Sequence, residues 1–249
     1  MGILQSSIHS LQNLMQNPLE AVTRVVAVLI ALSFHEAAHA FAAHRNGDNT
    51  AQAVGRLTLN PLAHLDVMGT LCMIFFRFGW AKPVPINPNN FRNQRKGNLQ
   101  TSLAGVLTNF LMAFLAIGIY GVLAKTGMFG EFGSIGVEGV WYDLGMMEFT
   151  GGARASAVSL MFFYLIQNLI FVNISLGFFN ILPIPPLDGY HVFKELTLGK
   201  LPANFFWGYE RAGSIILLVL IVSGITGMIL SPLVSGVLRG FVAFWGLLF

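Results

Sequence analysis

The sequence predicts an all-α polytopic membrane protein with about five transmembrane helices, a re-entrant segment and a short membrane-associated β-strand or hairpin. Hydrophobic residues make up 55% of the 249 residues and charged residues only 10%. A soluble domain has about a quarter charged residues, so this composition is typical of a membrane protein. The net charge of +3 gives no reason to expect nucleic acid as a partner. The predicted partner is the lipid bilayer.

Five apolar runs are predicted to cross the membrane, each near the roughly 20 residues that a spanning helix needs. They cover residues 19–43, 99–123, 158–182, 212–230 and, more weakly because Arg239 interrupts it, 232–249. Apolar residues at helical spacing among polar ones predict an interfacial helix over residues 1–18. A cleaved signal peptide is disfavoured, because no Lys or Arg precedes Arg24. We therefore expect a transmembrane core over residues 19–190 and C-terminal transmembrane helices over residues 191–249.

The shorter apolar run over residues 62–78 is predicted to be re-entrant. If it does not cross, seven basic residues share one side of the membrane, and the acidic loop over residues 125–154 lies on the other. Such an asymmetry is expected between a cytoplasmic and an external face, whereas a crossing would divide the basic residues. The seven are Arg45, Arg56, Arg77, Lys82, Arg92, Arg95 and Lys96. We accordingly place the ends of the first and third spans on the cytoplasmic side.

Alternating apolar and polar residues over positions 54–61 predict a short strand that ends at Pro61. Two interpretations are open for this strand. It forms a surface hairpin, or it is an edge strand that binds an extended peptide through main-chain hydrogen bonds.

The first span contains the motif His35-Glu36-Ala37-Ala38-His39. Histidines four residues apart lie on one helix face and can share a metal ion, and Glu36 can take a proton from a water on that ion. Zinc lowers the pKa of such a water to about 7. The alternative is that both histidines are ordinary core residues. Their position in an apolar span disfavours it, because ionisable groups at membrane depth need a compensating partner.

Asp188 is the candidate third ligand, since catalytic zinc has three protein ligands. The third span ends in a run with three prolines, at positions 183, 185 and 186, which cannot continue a helix. Non-helical backbone at membrane depth is tolerated where it lines a cavity, although Asp188-Gly189 also fits an ordinary surface turn. In the non-crossing topology His39 and Asp188 lie on the same side, whereas a crossing would separate them.

Taken together, these motifs resemble those of the site-2 protease family of intramembrane metalloproteases, in its compact prokaryotic form without a PDZ or CBS domain. The matching segments cover residues 35–39, 55–61, 79–84, 104–109 and 180–189. The resemblance implies one zinc ion held by His35, His39 and Asp188, with Glu36 as general base. It also implies that Asn109 orients substrate or stabilises the oxyanion, although a polar contact between helices is equally open. Val106 departs from the family pattern, which often has proline there.

The resemblance implies an intramembrane zinc metalloprotease of the cell (inner) membrane, with its active site towards the cytoplasmic side. Its expected substrate is a transmembrane protein with an unwound segment. The alternatives are a membrane zinc-binding or transport protein and an inactive protease-like scaffold. Transporters usually have paired repeats, and none is evident here. The single cysteine, Cys72, excludes an intrachain disulfide, and His191 is a further candidate to support a ligand.

Overall fold

The structure is a computed structural model that describes residues 17–66, 68–69, 81–126, 128 and 157–248. Its elements, in chain order, are α1 (Pro18–Arg45), α2 (Thr50–Ala53), α3 (Pro61–His64), the 3₁₀ turn η1 (Pro88–Asn90), α4 (Gln94–Lys125), α5 (Ala157–Asn180), α6 (Asp188–Thr197), α7 (Ala203–Val222) and α8 (Ile225–Gly246). Among the described residues, five helices (α1, α4, α5, α7 and α8) are long and apolar enough to cross a membrane. The prediction of a multi-pass helical membrane protein is therefore confirmed.

The predicted fourth span, over residues 212–230, is wrong in its position. Helix α7 ends at Val222, and a turn at Ser223 and Gly224 separates it from α8. Gly224 has a φ of +76° in this turn. Glycine adopts this left-handed conformation without steric cost and commonly ends a helix. Hydropathy did not reveal the turn because apolar residues continue on both sides of it. The fourth span is α7, and α8 extends the predicted fifth span towards the N-terminus with Pro232 inside it.

Helices α1 and α4 are antiparallel, and so are α4 and α5. Along α1, His35 meets Asn109 of α4, and His39, one turn later, meets the earlier Thr101. Asn109 in turn contacts Asn173 of α5, whereas Tyr120 further along α4 meets the earlier Phe163. Helices α1 and α5 therefore end, and α4 begins, at the same end of the bundle. The connection over residues 46–93 starts and finishes at this end, as the non-crossing topology requires.

An apolar core lies between α4, α5 and α8. It contains Ala113, Ala116 and Ile117 from α4, Phe163, Tyr164, Ile166, Ile170 and Ile174 from α5, and Val234, Leu238 and Val242 from α8. Close packing of these side chains holds the three helices together, because lipid supplies no hydrophobic driving force between them. The start of α4 and the end of α5 lie outside this apolar core and pack against the half of α1 that carries the histidines.

The predicted strand over residues 54–61 is wrong: these residues form a turn and a bend, and Pro61 begins α3. Side-chain contacts connect this stretch to the residues around it instead. The buried Arg56 guanidinium donates to the carbonyls of Ala63, Lys82 and Pro83, and His64 Nε2 lies 2.8 Å from the carbonyl of Thr58.

Three sequence predictions concern parts of the chain outside the described residues. They are the interfacial helix, apart from its last two residues, the re-entrant run beyond residue 69, and most of the acidic loop. The last two residues of the predicted interfacial helix, Asn17 and Pro18, begin α1 instead. There the Asn17 side chain accepts a hydrogen bond from the Glu20 amide, and Pro18 occupies the first turn, so that the helix has a regular cap.

Candidate metal centre

Helix α1 places His35 and His39 on its face towards α4, and Gly105 of α4 allows the close approach. Both histidines are buried. A Cβ atom at position 105 would lie 2.5 Å from His39 Nε2 and 2.6 Å from His35 Cε1, closer than real contacts allow. Only glycine, which has no side chain, permits this packing. Gly105 stands in one of the segments that carry the family resemblance, and the structure supplies the physical reason for that glycine.

Three potential ligand atoms converge at one point. Nε2 of His35 lies 3.0 Å from Nε2 of His39, and Asp188 Oδ2 lies 3.2 and 3.3 Å from these two nitrogens. Nitrogen and oxygen ligands at 2.0–2.1 Å from a tetrahedral zinc are separated by roughly 3.3–3.4 Å. His35, His39 and Asp188 therefore form a group that can hold a metal ion.

The hydrogen-bond partner of Nδ1 determines the tautomer of each histidine. His39 Nδ1 lies 2.7 Å from the Thr101 backbone carbonyl, and His35 Nδ1 lies 2.7 Å from Asn109 Oδ1. Both oxygens only accept, so each Nδ1 carries the hydrogen and each Nε2 turns its lone pair inward. Asp188 Oδ2 is buried and has no hydrogen-bond partner among the described residues. Three acceptors that face one another repel unless positive charge lies between them, and a metal ion can supply that charge.

Asp188 reaches this point because the chain folds back after α5. The segment over residues 181–187 contains a cis peptide bond between Pro185 and Pro186, and Asp188 is the first residue of α6. A Cβ atom at Gly189 would lie 2.1 Å from the carbonyl oxygen of Ile181. Glycine is therefore needed at position 189 because two backbone segments approach closely. The predicted turn at Asp188-Gly189 is wrong, because both residues lie in the first turn of α6.

Glu36 lies beside the ligands and is held by a backbone amide. Its Oε2 accepts a hydrogen bond of 3.0 Å from Val84 N–H, which lies in the irregular segment over residues 81–87. Glu36 and the three ligands line one cavity of ≈ 400 Å³, together with apolar side chains such as Ile86. A molecule in this cavity can reach Glu36 and the three candidate ligands at once.

Asp48 is a buried carboxylate that the sequence analysis did not single out. It accepts hydrogen bonds from the backbone and hydroxyl of Thr50, from Asn87 N–H at 2.7 Å and from Asn90 Nδ2 at 2.7 Å. Burial raises the pKa of Asp48, but these donors outweigh it and hold the pKa below its usual range. Asp48 thus ties the end of α1 to the segment that carries Val84. In the sequence it looks like a turn residue, because two of its donors, Asn87 and Asn90, are about 40 positions away in the chain.

Asn109 lies behind His35, in contact with α5. It is 1% exposed, and its Nδ2 donates to Asn173 Oδ1 at 3.1 Å. The contact between helices that the sequence left open is therefore present, and the role of Asn109 towards an oxyanion stays a prediction. Asn173 was missed, although an asparagine in the middle of an apolar span is itself a signal in the sequence. His191 lines the cavity beside Asp188.

Comparison with known proteins places this site in a family. The sequence model of Peptidase family M50 matches residues 23–221, a range that includes all three ligand candidates and Glu36. The chain belongs to peptidase family M50. The resemblance to the site-2 proteases is thereby confirmed.

Two curated relatives of this M50 peptidase bear related names. "Putative zinc metalloprotease YwhC" of Bacillus subtilis is 32% identical over 211 residues, which cover 85% of each chain. "Putative zinc metalloprotease Rip2" of Mycolicibacterium smegmatis is 27% identical over 191 residues, 73% of this chain and 61% of the relative. No solved structure gives a significant match to the M50 peptidase.

Proposed function

We propose that this M50 peptidase is an intramembrane zinc metalloprotease that hydrolyses peptide bonds in or near transmembrane segments of membrane proteins. The observation that carries the proposal is the convergence of His35, His39 and Asp188 on one point, in a cavity that Glu36 also lines. The names of the two curated relatives support zinc as the metal. His35 and His39 lie on a helix that is long and apolar enough to span a bilayer.

Each residue has a distinct chemical role in this proposal. When bound to His35, His39 and Asp188, zinc supplies Lewis acidity, which polarises a carbonyl and acidifies water. Glu36 acts as general base: it takes the proton of the attacking water and returns it to the leaving amine. The hydrogen bond from Val84 N–H keeps the Glu36 carboxylate in the cavity.

The depth of the site favours substrates within the membrane. His35 lies ten residues before the end of α1 at Arg45, which corresponds to roughly 15 Å at 1.5 Å per residue. A substrate helix hides its carbonyls in internal hydrogen bonds, so it must unwind before attack. We therefore expect cleavage near Gly, Asn or Pro residues, which weaken a helix.

We further propose that the site faces the cytoplasm and that the protein lies in the cell (inner) membrane. Arg45, Arg92, Arg95 and Lys96 cluster near the end of the bundle where α1 ends and α4 begins. Basic residues favour the cytoplasmic face. Cysteine labelling from each side at positions 82 and 95 tests this orientation, because labelling of both from outside would reverse it.

The central experiment follows cleavage of a single-span membrane protein by the purified peptidase, with and without a chelator. The key variant is Glu36→Gln, whose amide oxygen can still accept from Val84 N–H. It should retain zinc and lose cleavage. The matched control is Glu20→Gln on the same helix, which loses only the pairing with Arg24 and should cleave as wild type does. Sustained cleavage by Glu36→Gln would refute the assigned base.

Zinc flux measured in proteoliposomes separates the protease from a zinc transporter. The proposed function predicts chelator-sensitive cleavage without flux. Flux without cleavage would support the transporter, and bound zinc with neither activity would support an inactive scaffold.

A further inference from the structure

A chain of two asparagine side chains connects the backbone of α5 to the ligand His35. Asn173 Nδ2 donates to the Leu169 carbonyl at 2.8 Å, and Asn109 Nδ2 donates to Asn173 Oδ1 at 3.1 Å. Asn109 Oδ1 lies 2.7 Å from His35 Nδ1. Asn173 is fully buried and Asn109 is almost so. We name Asn173 and Asn109 the amide relay.

The direction of the amide relay follows from its far end. A backbone carbonyl only accepts, so the amino group of Asn173 must face Leu169. This turns the Asn173 oxygen towards Asn109, which must present its own amino group there and its oxygen to His35. The oxygen requires a hydrogen on His35 Nδ1, and Nε2 is left with a lone pair towards Asp188. One carbonyl on α5 thereby decides which nitrogen of His35 can bind a metal.

The two histidines differ in how securely their tautomers are held. His39 Nδ1 faces the Thr101 carbonyl, a backbone group that cannot turn over. His35 Nδ1 faces a side-chain amide, which can rotate by half a turn and present its amino group instead. That rotation would favour the tautomer with hydrogen on Nε2, which cannot bind the ion. The relay residue Asn173 opposes it, because its oxygen needs the Asn109 amino group.

We propose that Asn173 is a positioning residue that raises the zinc affinity of the centre by fixing the Asn109 amide and, through it, the tautomer and ring plane of His35. Asn173 acts through a hydrogen bond to Asn109 and not through a bond to a ligand. The inference deepens the proposed function and rests on zinc as its metal. Partners that orient a metal-binding histidine commonly contribute roughly 10–100-fold to affinity.

The experiment measures the zinc dissociation constant of the full-length protein in detergent by competition with a chromophoric chelator. Asn173→Leu keeps the side-chain size and removes both hydrogen bonds, so zinc should bind roughly 10–100-fold more weakly. The control is Asn168→Leu on the same helix, whose amide donates to Thr23 Oγ1 and to the Tyr164 carbonyl. This control loses a comparable polar contact between α5 and α1 and should keep the wild-type affinity.

A second background separates positioning from packing. Asn109→Asp offers His35 an accepting oxygen whichever way the group is turned, so it no longer needs Asn173. In that background, Asn173→Leu should cost little zinc affinity. An equal loss in both backgrounds would mean that Asn173 acts by packing and would overturn the proposal. So would an Asn173→Leu protein of unchanged affinity.

Nitrogen NMR of ¹⁵N-histidine-labelled protein gives a direct signature. The wild type should show His35 with hydrogen on Nδ1, and Asn173→Leu should show a mixture of tautomers. If the wild-type protein bound no zinc, the proposed function itself would be refuted. Zinc binding and cleavage by the wild type, with no effect of Asn173→Leu, would refute only the role of Asn173.

Discussion

The ligand-bearing core and the C-terminal hairpin of this protein are both built from apolar helices, but they bury different groups. In the core (α1, α4, α5 and α6), buried side chains include the two candidate histidine ligands and the amide relay. In the hairpin (α7 and α8), the described buried residues are apolar or glycine, such as Leu217 and Leu238. Buried polar groups are costly in a membrane, so they mark the part of the chain with a chemical task.

The hairpin contacts the core in two places. Helix α8 packs against α4 and α5, where Trp245 Nε1 donates to the Phe114 carbonyl at 2.9 Å. Helix α7 packs against α6 and the segment that precedes it. Tyr209 donates to the Pro183 carbonyl, and Gly213 packs on Pro185. The hairpin thus supports the segment that leads to Asp188 without supplying a ligand. From this comparison we expect substitutions in the core to affect metal binding, and equivalent substitutions in the hairpin to affect stability at most.

The largest effect is expected from loss of a ligand. His39→Ala removes one of the three candidate ligand atoms. It should abolish cleavage and weaken zinc binding by more than the roughly 100-fold that is typical when a hydrogen-bond partner of a ligand is lost. Metal analysis and the cleavage assay measure both effects. His44→Ala, on the same helix but bonded to Asn49, is the control and should retain zinc. Wild-type zinc content in His39→Ala would remove this histidine from the site.

Gly105→Ala should disrupt the centre although it replaces no polar side chain. The added Cβ would lie 2.5 Å from His39 Nε2, so the imidazoles must shift and zinc should bind roughly 10–100-fold more weakly. Gly236→Ala in α8 is the matched change in the hairpin, since nothing lies within 4 Å of its Cβ. It should bind zinc as the wild type does and should be no less stable, since alanine favours a helix more than glycine does. Equal zinc affinities for the two variants would contradict the proposed contrast.

Asp48 should make the stability of the core depend on acid pH. Its folded pKa is depressed, so its contribution is complete above the ordinary carboxyl pKa of about 4 and is lost as pH falls through the folded value. Asp48→Asn should lower stability at pH 7 by roughly 1–3 kcal/mol, since a buried donor loses its acceptor. It should also flatten the decline of Tm below pH about 4. Parallel pH profiles for both proteins would exclude this role.

The smallest effect is expected at the exposed contact between α6 and α7. Lys194 pairs with Glu210 at 2.7 Å where both side chains are more than a third exposed. Water screens such a pair, so Lys194→Met should change stability by less than about 1 kcal/mol and leave zinc affinity unchanged. Thermal unfolding and chelator competition measure the two quantities. Loss of zinc in this variant would show that the hairpin controls the centre.

Much of the core was predictable because its signals are local. Histidines four residues apart must share a helix face, and three closely spaced prolines must break one. The local pattern misled for residues 54–61, where alternating apolar and polar residues predicted a strand. The structure has a turn and a bend there, and the Arg56 guanidinium donates to carbonyls outside this stretch. It also misplaced the fourth span, because hydropathy does not register a turn between two apolar runs.

The sequence by itself determined the helical membrane architecture, the placement of His35, Glu36 and His39 on one helix, and Asp188 as the candidate third ligand. Length, apolar content and residue spacing are sufficient for these conclusions. Only the tertiary structure decided what surrounds them: the approach of Gly105, the clamp at Asp48 and the amide relay from Asn173. These depend on contacts between residues tens of positions apart, and such contacts leave no periodic pattern in the chain.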